Sequence, residues 1–250
     1  MTIALPANYA PAPSLLDGRV ILVTGAGQGL GRAVALACAA HGATTVLLGR
    51  TPKKLEATAD AIEAAGGPEP LLVPLDLAKA NAPEFDHLAH LLRRDAKRLD
   101  GLAHCASHFV PLSPLANQTL DQWLLLLRVN LAAPFALTRA CLPLLAAAPG
   151  ASVVFVGETH GLKPAAFWGG FAVGKAALPA LATIWADELD GPGKPRMNVI
   201  VPGPIATPQR RTSHPGEDVA SLPPPESVAP AFLYLLGPDS VTVSGKTLAV

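Results

Sequence analysis

The most constraining feature of this sequence is a glycine-rich turn between an apolar run and a helical pattern. The run VILVT at 20–24 leads into GAGQGLG at 25–31, and a helix is predicted over 29–41. Glycines allow a tight turn in which backbone amides approach a phosphate, and the helix N-terminus behind them adds partial positive charge. Because the turn lies in the first strand–helix connection, the pattern predicts a site for a pyrophosphate.

Short apolar runs alternate with helical patterns along the whole chain. Such runs are typical of parallel strands that are covered on both faces. Strands are predicted over 20–24, 45–49, 71–75, 101–105, 152–156, 197–201 and 247–250. Helices are predicted over 29–41, 52–65, 85–98, 120–147, 171–189 and 226–236. The alternation predicts the α/β class, with one Rossmann-type doubly wound parallel sheet of about seven strands and helices on both faces.

No linker divides the chain, so one domain is expected. Residues 1–15 form a Pro/Ala-rich stretch that we interpret as an N-terminal arm, and residues 16–250 form the dinucleotide-binding domain. The segment 203–225 is irregular and rich in proline. A loop of this length in a compact domain is usually a lid or a binding loop, so we place it on the substrate side.

Composition excludes several classes of function. Half of the residues are hydrophobic, 15% are charged and the formal net charge is zero, so no basic field attracts nucleic acid or an anionic membrane. The first residues lack both a basic start and a sustained apolar run, which argues against a signal peptide or membrane span. Cys38, Cys105 and Cys141 are scattered, which indicates free thiols in the cytoplasm and no metal site.

Several further motifs follow the glycine turn in a fixed order. The turn reads TGxxxGxG from Thr24, and the other marks are Asp76-Leu77, Asn130, Lys175 and the segment PGPIAT at 202–207. In this set and order the chain resembles the short-chain dehydrogenase/reductase family, and the segments 18–31, 46–50 and 99–104 are similar to an uncharacterised bacterial oxidoreductase branch. The resemblance implies hydride transfer between a nicotinamide cofactor and a small-molecule carbonyl or alcohol.

The resemblance also assigns the cofactor contacts. Asp76 and Leu77 correspond to the family's adenine contact, and the segment 202–207 to its nicotinamide contact. The residues expected to bind cofactor are Thr24, Gly25, Gly27, Gln28, Gly29, Leu30, Gly31, Arg50, Asp76, Leu77, Lys175, Pro202, Gly203, Ile205 and Thr207.

The second strand indicates which nicotinamide cofactor is used. Rossmann-type sites that prefer NAD carry an acid at the end of this strand, where this chain has Gly49 followed by Arg50. A guanidinium binds a phosphate through two parallel hydrogen bonds, so NADP(H) is favoured over NAD(H). The alternative is that Arg50 is simply a solvated loop charge.

Two of the family's four catalytic positions are substituted. The resemblance implies a tyrosine four residues before Lys175, which is one helical turn, but that position holds Phe171. The family serine thirteen residues earlier corresponds to Glu158, while Asn130 and Lys175 match. Tyr9 and Tyr234 are the only tyrosines, and neither precedes a lysine by four residues. Ser107 also replaces a glycine that lies near the cofactor in the family.

Three roles for Glu158 are consistent with the sequence. The carboxylate could pair with Lys175, could be a replacement acid whose pKa is raised by burial, or could face solvent or accept from a loop amide. His160 is a second conceivable acid, although a lone histidine in a loop is more often only a loop residue.

Three functions follow from these features. The chain could be an NADP(H)-dependent reductase or alcohol oxidase that is weak or uses another acid, or a non-catalytic NADP(H)-binding sensor or assembly subunit. A fold remnant without cofactor is disfavoured by the glycine turn, Asp76 and Thr207. The helices predicted over 120–147 and 171–189 are apolar around much of their circumference, and family members pair through them, so a homodimer or homotetramer is expected.

Overall fold

The computed structural model describes residues 1–191 and 193–250, and the described chain forms one parallel sheet with helices on both faces. The strand order is β1-β8-β7-β6-β5-β2-β3-β4, and every neighbouring pair is parallel. The strands are β1 Thr2–Ile3, β2 Val20–Thr24, β3 Thr44–Gly49, β4 Leu71–Pro74, β5 Gly101–His104, β6 Ser152–Val156, β7 Arg196–Val201 and β8 Thr247–Ala249. The α/β doubly wound fold class is therefore confirmed.

The sheet has eight strands rather than about seven. All seven predicted strands are present with ends within one residue of the prediction, and the additional strand is β1. Its two residues pair with Thr247 and Leu248 at the sheet edge. The first part of the predicted arm is thus held by long-range backbone pairing. A stretch of two residues is too short to show a hydrophobic pattern, so the sequence did not predict this strand.

The helices form two layers around the sheet. They are α1 Gly29–Ala40, α2 Pro52–Ala64, α3 Ala82–Asp95, α4 Leu120–Leu127, α5 Ala133–Ala147, α6 Thr159–Leu162, α7 Gly169–Glu188, α8 Pro208–Ser213 and α9 Ala229–Leu236. Helices α3, α5 and α7 pack their apolar side chains on one face of the sheet. Helices α1, α2 and α9 pack on the other face. Both sheet faces are buried, which explains the continuous apolar strand sequences.

The single helix predicted over 120–147 is interrupted. A π-helical turn, Arg128–Ala132, separates α4 from α5, and the Ala133 amide donates to the Arg128 carbonyl five residues earlier. Pro134 comes next and has no amide to donate to the carbonyl four residues before it. The wider turn accommodates this loss and places Asn130 inside the π segment.

Other helix boundaries also differ from the prediction, most of all in α3 and α9. Helix α3 starts three residues earlier than predicted, because Asn81 and Glu84 form a reciprocal capping box at 81–84. The helix predicted over 226–236 is α-helical only from Ala229, after a 3₁₀ turn at Pro225–Val228. The segment 203–225, predicted as irregular, contains α8 and a 3₁₀ turn at Val219–Ser221.

Two helical stretches, Leu120–Ala147 and Gly169–Glu188, are long and apolar enough to cross a membrane by length and composition. In their most apolar windows, 50% and 44% of the residues are buried inside the fold. Leu137, Leu144, Leu178 and Trp185 from these stretches belong to the core on one sheet face. The apolar composition is accounted for in large part by this packing.

Candidate functional site

A cleft of about 290 Å³ lies at the carboxyl edge of the sheet. Its walls come from the loops that follow β2, β3, β4, β5, β6 and β7. The order of the strands reverses at β2, which lies between β5 and β3. Ligands of open α/β sheets bind at such a switch point, outside the carboxyl ends of the strands.

The glycine turn forms the floor of the cleft. Gly25 has a φ of 69°, and a Cβ there would lie 2.9 Å from the Ala106 Cα. A Cβ on Gly31 would lie 2.3 Å from the Gly25 carbonyl oxygen. Only glycine fits at these two positions, because a side chain would displace backbone. Gly27, Gln28, Gly29 and Leu30 also line the cleft, so the turn presents its backbone to the space above α1.

Thr24 and Asn130 lie behind the wall instead of lining it. The Thr24 hydroxyl accepts from the Ala106 amide at 3.0 Å. The Asn130 side-chain oxygen accepts from the Ser107 hydroxyl and from the His108 amide, both at 3.1 Å. Its amide nitrogen donates to the carbonyls of His108 and Leu126 at 2.8 and 2.9 Å. All four hydrogen-bonding positions of the Asn130 side chain are thus used, three of them on the loop after β5.

One end of the cleft is lined by the loops after β3 and β4. Gly49, Arg50 and Lys54 lie on one side, and Asp76 and Leu77 lie on the other. The Asp76 carboxylate accepts from the Ala78 amide at 3.1 Å, which holds it within its own turn. Arg50 is exposed and makes no ion pair within the described residues.

The opposite end is lined by the segment after β7. Pro202, Gly203, Ile205 and Thr207, which were expected to bind cofactor, all line the cleft. The Thr207 hydroxyl caps α8 by accepting from the Arg210 amide at 3.2 Å.

The Arg210 guanidinium in turn binds both carboxylate oxygens of Glu217, at 2.5 and 2.6 Å. This bond raises the pKa of Arg210 and lowers the pKa of Glu217. A bidentate ion pair between Arg210 and Glu217 therefore links two parts of the binding loop predicted over 203–225.

Lys175 is buried on α7 and lines the centre of the cleft. Its ammonium donates to the Val156 carbonyl at 2.7 Å, which holds it over the end of β6. Desolvation by burial lowers the pKa of Lys175 to about 8, and attraction to Glu158 and Cys105 opposes that shift. Two of its N–H groups stay available to a ligand in the cleft, because an ammonium has three donors.

Phe171 occupies the position where the family places its tyrosine. Its side chain is 1% exposed, and its ring centroid lies 5.8 Å from the Lys175 ammonium. Phe109 packs edge-to-face on it at 5.1 Å, and Trp168 lies 6.0 Å away, both as centroid distances. The group facing the cleft here is an apolar wall with no proton to donate.

Glu158 follows β6 and lines the cleft, but it forms no ion pair with Lys175 in the part of the chain that the structure describes. Its carboxylate accepts from the Thr159 amide at 3.0 Å and caps the short helix α6. Of the three roles open for Glu158, this geometry matches the bond to a loop amide. His160 lies outside the cleft lining and stacks on Trp168 with ring centroids 4.0 Å apart.

Sequence reasoning missed several residues of the cleft. These residues are Thr51 and Lys54 at the start of α2, His108 after β5, and three residues of the segment after β7: Pro208, Gln209 and Ser213. Two signals could have found them: a position just after a predicted strand, or a place within the binding loop predicted over 203–225. Trp168 faces the cleft, whereas the neighbouring Phe167 is 53% exposed.

The cradle fits a dinucleotide. The missing side chains at Gly25 and Gly31 let the turn fold tightly on itself, and the turn lines the cleft at the N-terminus of α1, where a pyrophosphate can approach backbone amides. Sheet topology, glycine turn and cleft together define an α/β protein of the dinucleotide-binding class.

Comparison with known proteins identifies the family. A model of the short chain dehydrogenases matches residues 19–218. The chain belongs to the short-chain dehydrogenase/reductase family, which confirms the resemblance carried by its motifs.

Individual relatives support the bacterial branch suggested by the sequence. The uncharacterized oxidoreductase YciK of Escherichia coli K12 is 36% identical over 240 residues, covering 96% of this chain and 94% of that protein. A short chain dehydrogenase structure from Pseudomonas syringae is 42% identical, with a TM-score of 0.92 and coverage of 97% and 98%. One from Escherichia coli CFT073, complexed with NADPH, is 36% identical, with a TM-score of 0.92 and coverage of 96% and 99%.

Proposed function

We propose that this chain binds NADP(H) in the cleft and that its ordinary carbonyl reduction is slow or lost. The observation that carries the proposal is the contrast between the two halves of the site. The glycine turn, Arg50 and Lys175 line one continuous cleft, whereas Phe171 stands where a phenol would donate a proton. Binding and turnover are thereby separated in this protein.

In the proposed complex each part of the cleft has one task. The turn at 25–31 holds the pyrophosphate, Arg50 binds the 2′-phosphate, and Asp76 and Leu77 lie against the adenine. Lys175 holds the nicotinamide ribose, and the segment 202–207 packs beside the nicotinamide. The bound cofactor supplies a hydride. The similarity to a dehydrogenase structure complexed with NADPH supports this choice of cofactor.

The substrate side has two consequences for catalysis. A small carbonyl beside Phe171 would meet no phenol to donate a proton as its oxygen gains charge, and a carboxylate at Glu158 would oppose that charge. The reaction class remains hydride exchange between NADP(H) and a carbonyl or alcohol, at a low rate.

A second candidate is a non-catalytic role as an NADP(H) sensor or assembly subunit. It is favoured by the way Asn130 and Glu158 are used. The Asn130 side chain accepts from the His108 amide, and the Glu158 carboxylate accepts from the Thr159 amide, so both side chains are engaged within the protein. Cofactor occupancy would then be the signal, and we propose a cytoplasmic location because all three cysteines are free thiols.

The cofactor part of the proposal predicts a preference for NADPH over NADH. Arg50→Ala should erase most of it, by about tenfold or more, because the 2′-phosphate loses a charged donor. Equilibrium titrations of both proteins with both cofactors measure this preference. Equal affinity of the unmodified protein for NADPH and NADH would rule out this cofactor assignment.

We also propose a two-fold symmetric homodimer or homotetramer. Helices α4, α5 and α7 leave large apolar side chains in solvent: Leu120, Leu124, Phe135, Val173 and Ile184. Covering such a face removes apolar area from water, and a two-fold axis buries the same patch twice. Light scattering at micromolar concentration should give two or four times the chain mass, and a monomer there would refute the assembly.

A further inference from the structure

We propose that Lys54 is a second cation for the 2′-phosphate of NADP(H), and that Gln28 holds it in place across the glycine turn. This inference rests on the proposed cofactor and adds a residue that no sequence motif singles out. Lys54 lies in the first turn of α2, lines the cleft and is exposed.

Helix α2 is fixed tightly against the glycine turn. A Cβ on Gly27 would lie 2.8 Å from the Lys54 Cβ, so the two backbones approach closely at this point. The Thr58 hydroxyl donates to the Ala26 carbonyl at 3.0 Å one turn later. The position of Lys54 relative to the pyrophosphate cradle is therefore set by backbone packing.

The Lys54 ammonium donates to the side-chain oxygen of Gln28. Gln28 is the N-cap residue of α1, yet its side chain makes no capping bond to that helix. Its side chain instead spans to α2 and contacts Lys54, and both residues line the cleft. A neutral amide binds an ammonium more weakly than a phosphate does. A phosphate would therefore replace the Gln28 amide on the Lys54 ammonium or bind beside it.

The charge at the start of α2 is unusual for a helix N-terminus. Arg50, Lys53 and Lys54 lie at or beside the first turn, which contains no acidic residue, and the Thr51 hydroxyl makes no capping bond. Cations are unfavourable at the positive end of a helix dipole. Of these three, Arg50 and Lys54 line the cleft and Lys53 does not. A phosphate bound between Arg50 and Lys54 would offset the repulsion.

The test compares Lys54→Met with Lys53→Met, which removes a charge of the same kind one position away. Each protein is titrated by calorimetry with NADPH, NADH, adenosine 2′,5′-bisphosphate and adenosine 5′-monophosphate. Lys54→Met should weaken binding of the two 2′-phosphorylated ligands about tenfold and leave the other two within about twofold. Lys53→Met should change none of the four, and Lys54→Arg should keep the preference because the charge is retained.

Two results would overturn the role of Lys54. One is an NADPH preference that survives Lys54→Met unchanged, and the other is an equal loss for all four ligands, which would indicate a structural role in the turn. These results are distinct from failure of the cofactor proposal, in which the unmodified protein itself shows no preference for the 2′-phosphorylated ligands. Circular dichroism melting curves of each variant confirm that the compared proteins are folded.

Discussion

Combining Phe171→Tyr with Glu158→Ser is expected to raise NADPH-dependent ketone reduction by about 10²–10⁴-fold over the unmodified protein. The tyrosine supplies the missing proton donor one helical turn before Lys175. The ammonium of Lys175, whose pKa burial lowers to about 8, would favour ionisation of that phenol. The serine replaces a carboxylate that would oppose the charge on the reduced oxygen.

The single substitutions should restore much less than the pair. Phe171→Tyr alone leaves the carboxylate of Glu158 lining the cleft, and Glu158→Ser alone leaves no proton donor. Groups that act as one unit are strongly non-additive, so the combined gain should exceed the product of the two. The measurement is NADPH consumption by all four proteins against one panel of ketones and aldehydes.

A third substitution provides the control for this gain. Lys175→Met in the doubly substituted protein should return the rate to the starting level, because it removes the cation beside the new phenol. A gain that persists without Lys175 would mean that the restored activity does not use the family chemistry. If each single substitution restored as much activity as the pair, the residues at positions 158 and 171 would not act together in catalysis.

The second large effect is expected at Gly31. In Gly31→Ala the new Cβ would lie 2.3 Å from the Gly25 carbonyl oxygen and 2.6 Å from its carbon, so backbone in the glycine turn must move. Overpacking of this kind typically costs about 1–3 kcal/mol, which lowers Tm by roughly 2–12 °C in a chain of this size. NADPH affinity should fall by at least about tenfold, because the moved amides are those that face the pyrophosphate.

Gly216→Ala is the matched control for this substitution. Gly216 is exposed, and a Cβ there meets no atom within 4 Å. Its Tm and NADPH affinity should equal those of the unmodified protein. Thermal unfolding and titration of both variants measure the two effects, and unchanged NADPH binding in Gly31→Ala would show that the turn is not the pyrophosphate site.

The sequence predicted the sheet well because burial on both faces makes each parallel strand an apolar run. It did not predict β1, since two residues at an edge have no period and depend on pairing with β8. The sequence also did not predict the π turn around Asn130, which lies just before Pro134. A proline shows that a helix must adapt but not whether it ends, kinks or widens.

The candidate site divides in the same way. The glycine turn and Phe171 could be assigned from the sequence, because the residue type is enough. Glycine permits a close backbone approach, and phenylalanine has no hydroxyl. The orientation of Glu158 and the place of Lys54 could not, because they depend on a loop amide at Thr159 and on packing against Gly27. The direction of a side chain in a loop depends on tertiary contacts, and the spacing of residues along the chain does not reveal them.

The separation of binding from turnover is tested most directly by measuring both in one solution of the unmodified protein. NADPH binding is followed by titration, and NADPH oxidation is then followed at saturation with the ketone and aldehyde panel. We expect NADPH to bind and its oxidation to be negligibly slow, since Phe171 has no proton to donate. Robust oxidation by the unmodified protein that is abolished in Glu158→Gln would contradict this account and would make Glu158 the acid.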